Sequence, residues 1–211
     1  MALTSAHEQA TGVPLSAEYL HWASASHPGG RGNPEAASMA LRTQGQPPHE
    51  QWPYRSDIDE TLPGYGPDAT VTGPFARRRG DRRLTGVDDV IEELQRGRWV
   101  MVGLGVTDAF AAPGTGIVLP DGRGRAGHAV LAVGALVVRG DDLEPDLRDG
   151  DRLLCVRNSW GPGWGVDGHK LISEAALNDC VILTLALDDA LSDSSPSDYV
   201  KDSDSGNKVA G

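Results

Sequence analysis

The spacing of apolar positions changes half-way along the chain. Ala2, Ala6 and Ala10 recur one helical turn apart with Leu3 beside them, and Gly12 supplies a stop, which predicts an opening helix. No capping residue precedes its first apolar position, so the chain is expected to start inside that helix. Ser16 suits the N-cap of a second helix running to about residue 24. Asn33 and Pro34 suit the cap and first turn of a third, ending near Gly45. Trp52-Pro53-Tyr54 and the Pro- and Gly-rich stretch to Pro74 read as a long connection, and Thr85 or Asp88 opens a short helix through Gln95. Beyond it the pattern becomes that of strands. Residues 99–106, 128–138, 152–156 and 180–187 are rich in Val and Leu and bounded by Gly, Asp and Pro. Helices first and strands afterwards predict an α+β fold, with a mainly helical lobe over 1–95 and a mainly β lobe over 96–187, not the alternation of a doubly wound sheet.

Composition narrows the function. The 211 residues make about one domain, or two small lobes sharing a cleft, and 39% hydrophobic residues suffice for a sizeable core. Nineteen basic against 30 acidic side chains leave a net charge of −11, which argues against nucleic-acid or anionic-membrane partners. No apolar run approaches the length of a membrane span. Cys155 and Cys180 are too few for a disulfide framework, and such low cysteine use leans towards a reducing compartment such as the cytoplasm. Residues 188–211 carry six Asp against two Lys and almost nothing apolar, so they are expected to form a disordered, solvated tail. The opposite run, Arg77, Arg78, Arg79, Arg82 and Arg83, lacks interleaved aromatics and is expected to be a solvated loop.

Several motifs fail on context. Gly122, Gly124 and Gly127 match the dinucleotide-binding glycine spacing, but they precede a strand, whereas that chemistry needs them after a strand and opening a helix. His7-Glu8 begins like a zinc-peptidase helix, yet Thr11 stands where the second ligand belongs. No metal spacing links the remaining His and Cys residues, and neither a metal nor a cofactor is called for.

Two segments survive. Gly127-His128-Ala129-Val130 puts a histidine at the mouth of an apolar strand, and Asn158-Ser159-Trp160-Gly161 puts an amide at a strand end before a Trp/Gly-rich turn. A catalytic imidazole needs a partner to fix its tautomer, an amide can accept its far proton, and an indole can keep water from that bond. Taken singly, each segment reads better as a structural histidine or a tight Gly/Trp turn than as a catalytic element. Together, H-A-V-x-x-V-G followed by N-S-W-G-x-G-W-G-x-x-G resembles the papain-like cysteine peptidases. The resemblance implies a catalytic His128, an orienting Asn158 and a shielding Trp160. It implies an antiparallel β-barrel-like second lobe, with the active-site cleft between the lobes, and a peptide or protein substrate. The helix-opening Leu15-Ser16 through Leu20 resembles the family's helix after the nucleophile helix. Gly29, Gly30 and Gly32 fall where the family binds the substrate backbone, and Trp52-Pro53-Tyr54 is similar to its Tyr-Pro-Tyr landmark.

One departure bears on mechanism. The family's nucleophile is a cysteine at the start of the central helix. Matching the Glu near that helix's end to Glu8 would put the nucleophile about three residues before Met1 and about 130 before His128. The family's oxyanion-hole glutamine, upstream of that cysteine, is missing as well. Cys155 is three residues before Asn158 on one strand, so the two point to opposite faces, and Cys180 reads as a small core residue. The expectation is a peptidase site through Cys, His and Asn whose nucleophile lies outside these 211 residues, leaving the chain by itself inactive. The alternative is a catalytically dead module of the same fold that binds peptides or a partner protein.

Overall fold

The helix-capping signals act where the sequence puts them. The computed structural model describes residues 1–25, 29–30, 32–73, 75–114, 116–140 and 146–189. Helix α1 (Ala2–Thr11) ends at Gly12, whose φ of 73° lets its N–H return to Glu8 O at 2.8 Å. Helix α2 (Ala17–Ser24) is capped by Ser16 Oγ, which accepts from Tyr19 N at 3.0 Å. Asn33 Oδ1 accepts from Glu35 N and Ala36 N to cap α3 (Pro34–Thr43), with Pro34 in its first turn. The fourth helix, α4 (Val87–Gln95), has Gly86 as its cap, while Asp89 turns back to accept from the Thr85 N–H and hydroxyl.

Six antiparallel strands form one sheet in the order β1-β6-β2-β3-β4-β5. They are β1 (Asp81–Leu84), β2 (Val100–Gly105), β3 (Gly127–Val137), β4 (Arg152–Arg157), β5 (His169–Ser173) and β6 (Val181–Leu187). The expected barrel does not close: among the strands β1 pairs with β6 and β5 with β4, and the outer side of β5 is met by Val118, whose N–H donates to Leu171 O at 2.8 Å and whose carbonyl accepts from Ser173 N at 3.0 Å. At one edge the chain leaves β5 through Ser173, which caps helix α6 (Glu174–Cys180), and Ala176, Leu177 and Cys180 of that helix fill the core.

Strand alternation divides the interior into two packed layers. Val100, Val102, Leu104, Val130, Ala132 and Ala186 face a core completed by α4, α6 and the short helix α5 (Asp108–Ala111). Met101, Leu131, Leu185 and Leu187 face the other way and pack on Leu3, Ala6, Leu20, Ala40 and Leu41 of α1, α2 and α3. The central strands are therefore buried on both faces, which is why their sequence reads as nearly continuous apolar runs.

The arginine run is not a solvated loop. Arg82 and Arg83 lie in β1, which supplies β6 with a backbone partner along Arg82↔Ala186 and Arg83↔Leu185. Arg78 is buried and donates to His7 O and Asp188 O, both at 3.3 Å. Arg82 pairs with Glu93 at 2.5 Å, and Arg83 pairs with Glu35. Arg78 is thus withdrawn from water onto backbone carbonyls, and Arg82 reaches a buried carboxylate, while Arg83 and Glu35 both remain exposed. The first residues of the acidic run are held as well: Asp188 N donates to Gly80 O at 3.0 Å and Asp189 pairs with Arg98 at 2.6 Å. The rest of the expected tail, 190–211, lies outside the described residues.

A polar cluster ties α1 to the connection after α3. His7 is fully buried, with Nδ1 2.9 Å from Gln46 Oε1. Gln46 Nε2 donates to Thr4 Oγ1 and Ser16 O, so its Oε1 is the acceptor and His7 Nδ1–H the donor. Burial, reinforced by the Arg78 charge, pushes the His7 pKa down to about 4 although Gln46 opposes it.

Candidate active site

Strand register brings His128 and Asn158 together across 30 residues of sequence. His128 is the second residue of β3, opposite Leu104, and Asn158 follows the last residue of β4. Because β3 and β4 run antiparallel with Leu131 opposite Arg157, the start of one strand lies beside the end of the other. Asn158 is held there by its backbone N–H, which donates to Gly168 O at 2.9 Å.

The side-chain geometry fixes the chemistry. His128 Nε2 lies 2.8 Å from Asn158 Oδ1, and that oxygen also accepts from Ser159 N at 2.7 Å. A backbone N–H can only donate, so the amide oxygen must face it, and His128 Nε2 must therefore carry the proton it shares with Asn158. Nδ1 is the ring nitrogen turned away from Asn158. Asn158 is only 9% exposed, so this bond is made in a region of low dielectric.

An aromatic wall encloses the pair. Trp160 lies tilted across the His128 ring at 4.9 Å between centroids. Phe110 is 6.2 Å from His128, 5.5 Å from Trp160 and 5.0 Å from Trp164. Sequence reasoning missed Phe110. A local signal existed for the element alone: Thr107 Oγ1 accepts from Phe110 N at 3.1 Å, so a capping threonine opens the four-residue helix α5 that carries the ring.

The three glycines do not share one place. Gly32 lines a cavity of about 120 Å³ with Met1, Ala2, Pro34, Met101 and Ala129, the residue after His128. This cavity runs between the helical layer and the sheet, directly beside the imidazole strand. A side chain at Gly32 would press on Ser24 Oγ at 3.0 Å, so its backbone stays bare towards that space. Gly29 (φ 68°) instead borders a separate cavity with His21, Trp22 and Tyr65, and Gly30 is buried. The segment between α2 and α3 also contains residues 26–28 and 31, which are not described.

Neither cysteine reaches the pair. Cys155 sits opposite Gly134, six residues along β3 from His128, or roughly 20 Å at the rise of a strand. Cys180 is packed in the core at the end of α6. Burial pushes both thiols up, away from the thiolate a nucleophile needs. Among the described residues no group of three or more His, Cys, Asp or Glu is arranged to hold a metal ion, and no helix is long and apolar enough to cross a membrane. The arrangement is an imidazole whose Nε2–H is fixed on Asn158 and covered by Trp160, beside an apolar groove, and such a ring can serve as an acid–base group through its other nitrogen.

Comparison with known proteins gives the pair a context. Residues 21–188 match the family described as papain family cysteine protease. Cathepsin J of Mus musculus is 39% identical over 59 residues, 28% of this chain and 16% of that protein. A cysteine proteinase of Theileria annulata is 33% identical over 93 residues, 43% of this chain and 19% of its own length. Among solved structures, the proform of the ragweed pollen allergen Amb a 11, a cysteine protease, superimposes with a TM-score of 0.70 at 18% identity, covering 89% of this chain and 57% of that one. Xylellain, a cysteine protease from Xylella fastidiosa, gives 0.68 at 18% identity, with 89% and 77% covered. Identities this low carry the fold, and the chain spans little more than half of the allergen proform and less than a fifth of the two curated relatives.

Proposed function

This chain belongs to the papain family of cysteine proteases, and from that premise we propose that His128 and Asn158 are the acid–base half of a site that hydrolyses peptide bonds. The observation that carries the reading is the 2.8 Å contact of His128 Nε2 with Asn158 Oδ1, covered by Trp160. In this reading a thiol gives its proton to His128 Nδ1, and the resulting thiolate attacks the substrate's carbonyl carbon. His128 Nδ1–H then protonates the departing amine, leaving a thioester. Water, losing its proton to Nδ1, attacks the thioester and releases the acid and the thiol. Asn158 holds the ring in one tautomer throughout and stabilises the imidazolium by accepting from Nε2. Gly32 offers bare backbone to an extended peptide along the groove, with Pro34, Met101 and Ala129 forming an apolar pocket for one of its side chains.

The thiol of this reading is neither Cys155 nor Cys180. It is one presented at the N-terminal mouth of α1, whose residues Met1 and Ala2 share the groove with Ala129. The substrate is a peptide or protein, and no metal or cofactor takes part. The test is to join a cysteine-bearing helical turn to α1, with the cysteine three residues before Met1, and to assay a fluorogenic peptide with and without iodoacetamide. Iodoacetamide-sensitive hydrolysis that disappears in His128→Ala is expected from the extended chain, and none from the 211 residues alone. Sensitive hydrolysis by the 211 residues would show that one of their own cysteines acts. An inert extended chain that still binds the peptide would favour a dead peptide-binding module.

A further inference from the structure

The most unusual ionisable group outside the His–Asn pair is Lys170. It lies in β5 and is only 6% exposed, yet no carboxylate among the described residues pairs with it. Its ammonium donates instead to two main-chain carbonyls, Ala112 O at 2.5 Å and Phe110 O at 3.3 Å, at the C-terminal end of α5. It also stands 4.9 Å from the centre of the Trp164 ring, whose Nε1 donates to the same Phe110 O at 3.0 Å. Desolvation lowers its pKa, which records what burying this charge costs. A buried lysine whose hydrogen bonds all go to one four-residue helix is an expensive way to cap it. An apolar side chain would fill the same space without that cost.

The carbonyls it holds belong to the helix that carries Phe110, and the Phe110 ring is the part of the wall touching both His128 and Trp160. A four-residue helix has too few internal hydrogen bonds to set a ring's position by itself. We propose that Lys170 is a positioning residue of the site: by clamping the carbonyl end of α5 from β5, with Trp164 beside it, it holds Phe110 against His128 and Trp160 and so keeps Nε2 of His128 on Asn158. The charge supplies what a neutral side chain of that length lacks: hydrogen bonds to two carbonyls at once and attraction to the indole face.

The inference rests on the peptidase reading for its purpose, but it is tested without peptide hydrolysis. A hydrogen-bonded and shielded imidazole N–H exchanges slowly with water and gives a separate proton resonance, so the Nε2–H of His128 reports the contact directly. In Lys170→Met that resonance is expected to be lost, or to exchange about tenfold faster or more. In Leu177→Ala, a truncation on α6 in the same core that removes neither the Lys170 hydrogen bonds nor the ring contacts of His128, it should persist although the melting temperature falls. Phe110→Leu removes the ring while leaving both carbonyls for Lys170, and it should reproduce the loss. A folded Lys170→Met protein that keeps the resonance overturns the proposal. So does a matching loss in Leu177→Ala, which would mark a general loosening. Should Lys170→Met fail to fold, Phe110→Leu decides, and retention of the resonance there overturns it. An inert cysteine-extended chain alongside the expected resonance changes would sink the peptidase reading and leave the positioning role standing.

Discussion

Trp160 covers the imidazole of His128 at 4.9 Å and a 32° tilt, yet it is itself 44% exposed. It is therefore a lid over one bond rather than a core residue. Its inner face lies against the imidazole, and its outer face is in solvent. Replacing it should open the bond to water, which weakens a hydrogen bond most where the surroundings were dry.

For Trp160→Ala in the cysteine-extended chain, kcat/KM should fall on the order of tenfold, with stability changed by less than for a buried tryptophan. Asn158→Ala should cost more, on the order of a hundredfold or above, because it removes the partner that fixes the tautomer. Steady-state kinetics beside thermal melts checks both. Equal losses from the two substitutions would mean that shielding and tautomer control are one effect.

Acid should loosen the helical layer through His7. Its folded pKa of about 4 lies below the ordinary 6.5, so between these values the unfolded chain binds a proton that the folded chain does not. Stability attributable to His7 is thus fully present above pH 6.5 and falls as the pH drops towards 4, by about 3 kcal/mol in all. Urea unfolding at pH 7 and at pH 4.5 should show a steep loss in the intact chain. His7→Gln, which cannot titrate, should show a shallower one even if it starts less stable. An unchanged slope in that variant would remove His7 from the account.

Glu93 should prove structurally important, since it lies on the buried stripe of α4 with Val87 and Val90. It is 1% exposed and accepts from Arg82 and Arg96 at 2.5 Å and from Arg98 at 3.3 Å. Burial pushes its carboxyl up, but the three guanidiniums outweigh that and hold it below the usual range. Glu93→Gln leaves those cations facing a neutral amide, and the expected loss is about 2 kcal/mol in chemical denaturation, tempered because the arginines are themselves partly hydrated. High salt should narrow the difference between the two proteins only slightly, since the carboxylate is out of solvent.

The turn leading into His128 depends on a backbone-to-backbone approach. A Cβ on Gly105 would lie 1.9 Å from Arg123 O, and one on Gly124 would lie 2.4 Å from the Gly105 carbonyl carbon. Gly105→Ala should therefore displace the chain just before β3, destabilising the protein by roughly 2 kcal/mol or more and disturbing the His128 N–H resonance. Gly122→Ala, where a Cβ meets nothing but the φ of 80° is unfavourable, should cost only about 1 kcal/mol and leave that resonance in place.

The amino-acid sequence by itself determined the capped helices and the four central strands, and it singled out the histidine and the asparagine that the fold brings together. Each rests on information confined to a few neighbouring residues: Ser16 and Asn33 bond to amides two or three positions on, and the Val- and Leu-rich runs need only be buried. The tertiary structure decided what depends on distant partners. Arg78, Arg82 and Arg83 read as a solvated run until Glu93, Glu35 and the His7 carbonyl are folded against them. The edge strands β1 and β5 are too short and too polar to announce themselves, and exist because β6 and β4 leave backbone groups to be paired. Phe110 and Lys170 lie 60 residues apart, and although Thr107 announces a cap before Phe110, nothing local shows that its ring meets His128 or that the lysine reaches its carbonyl. Only the antiparallel register of β3 on β4 turns a histidine and an asparagine 30 residues apart into a hydrogen bond 2.8 Å long.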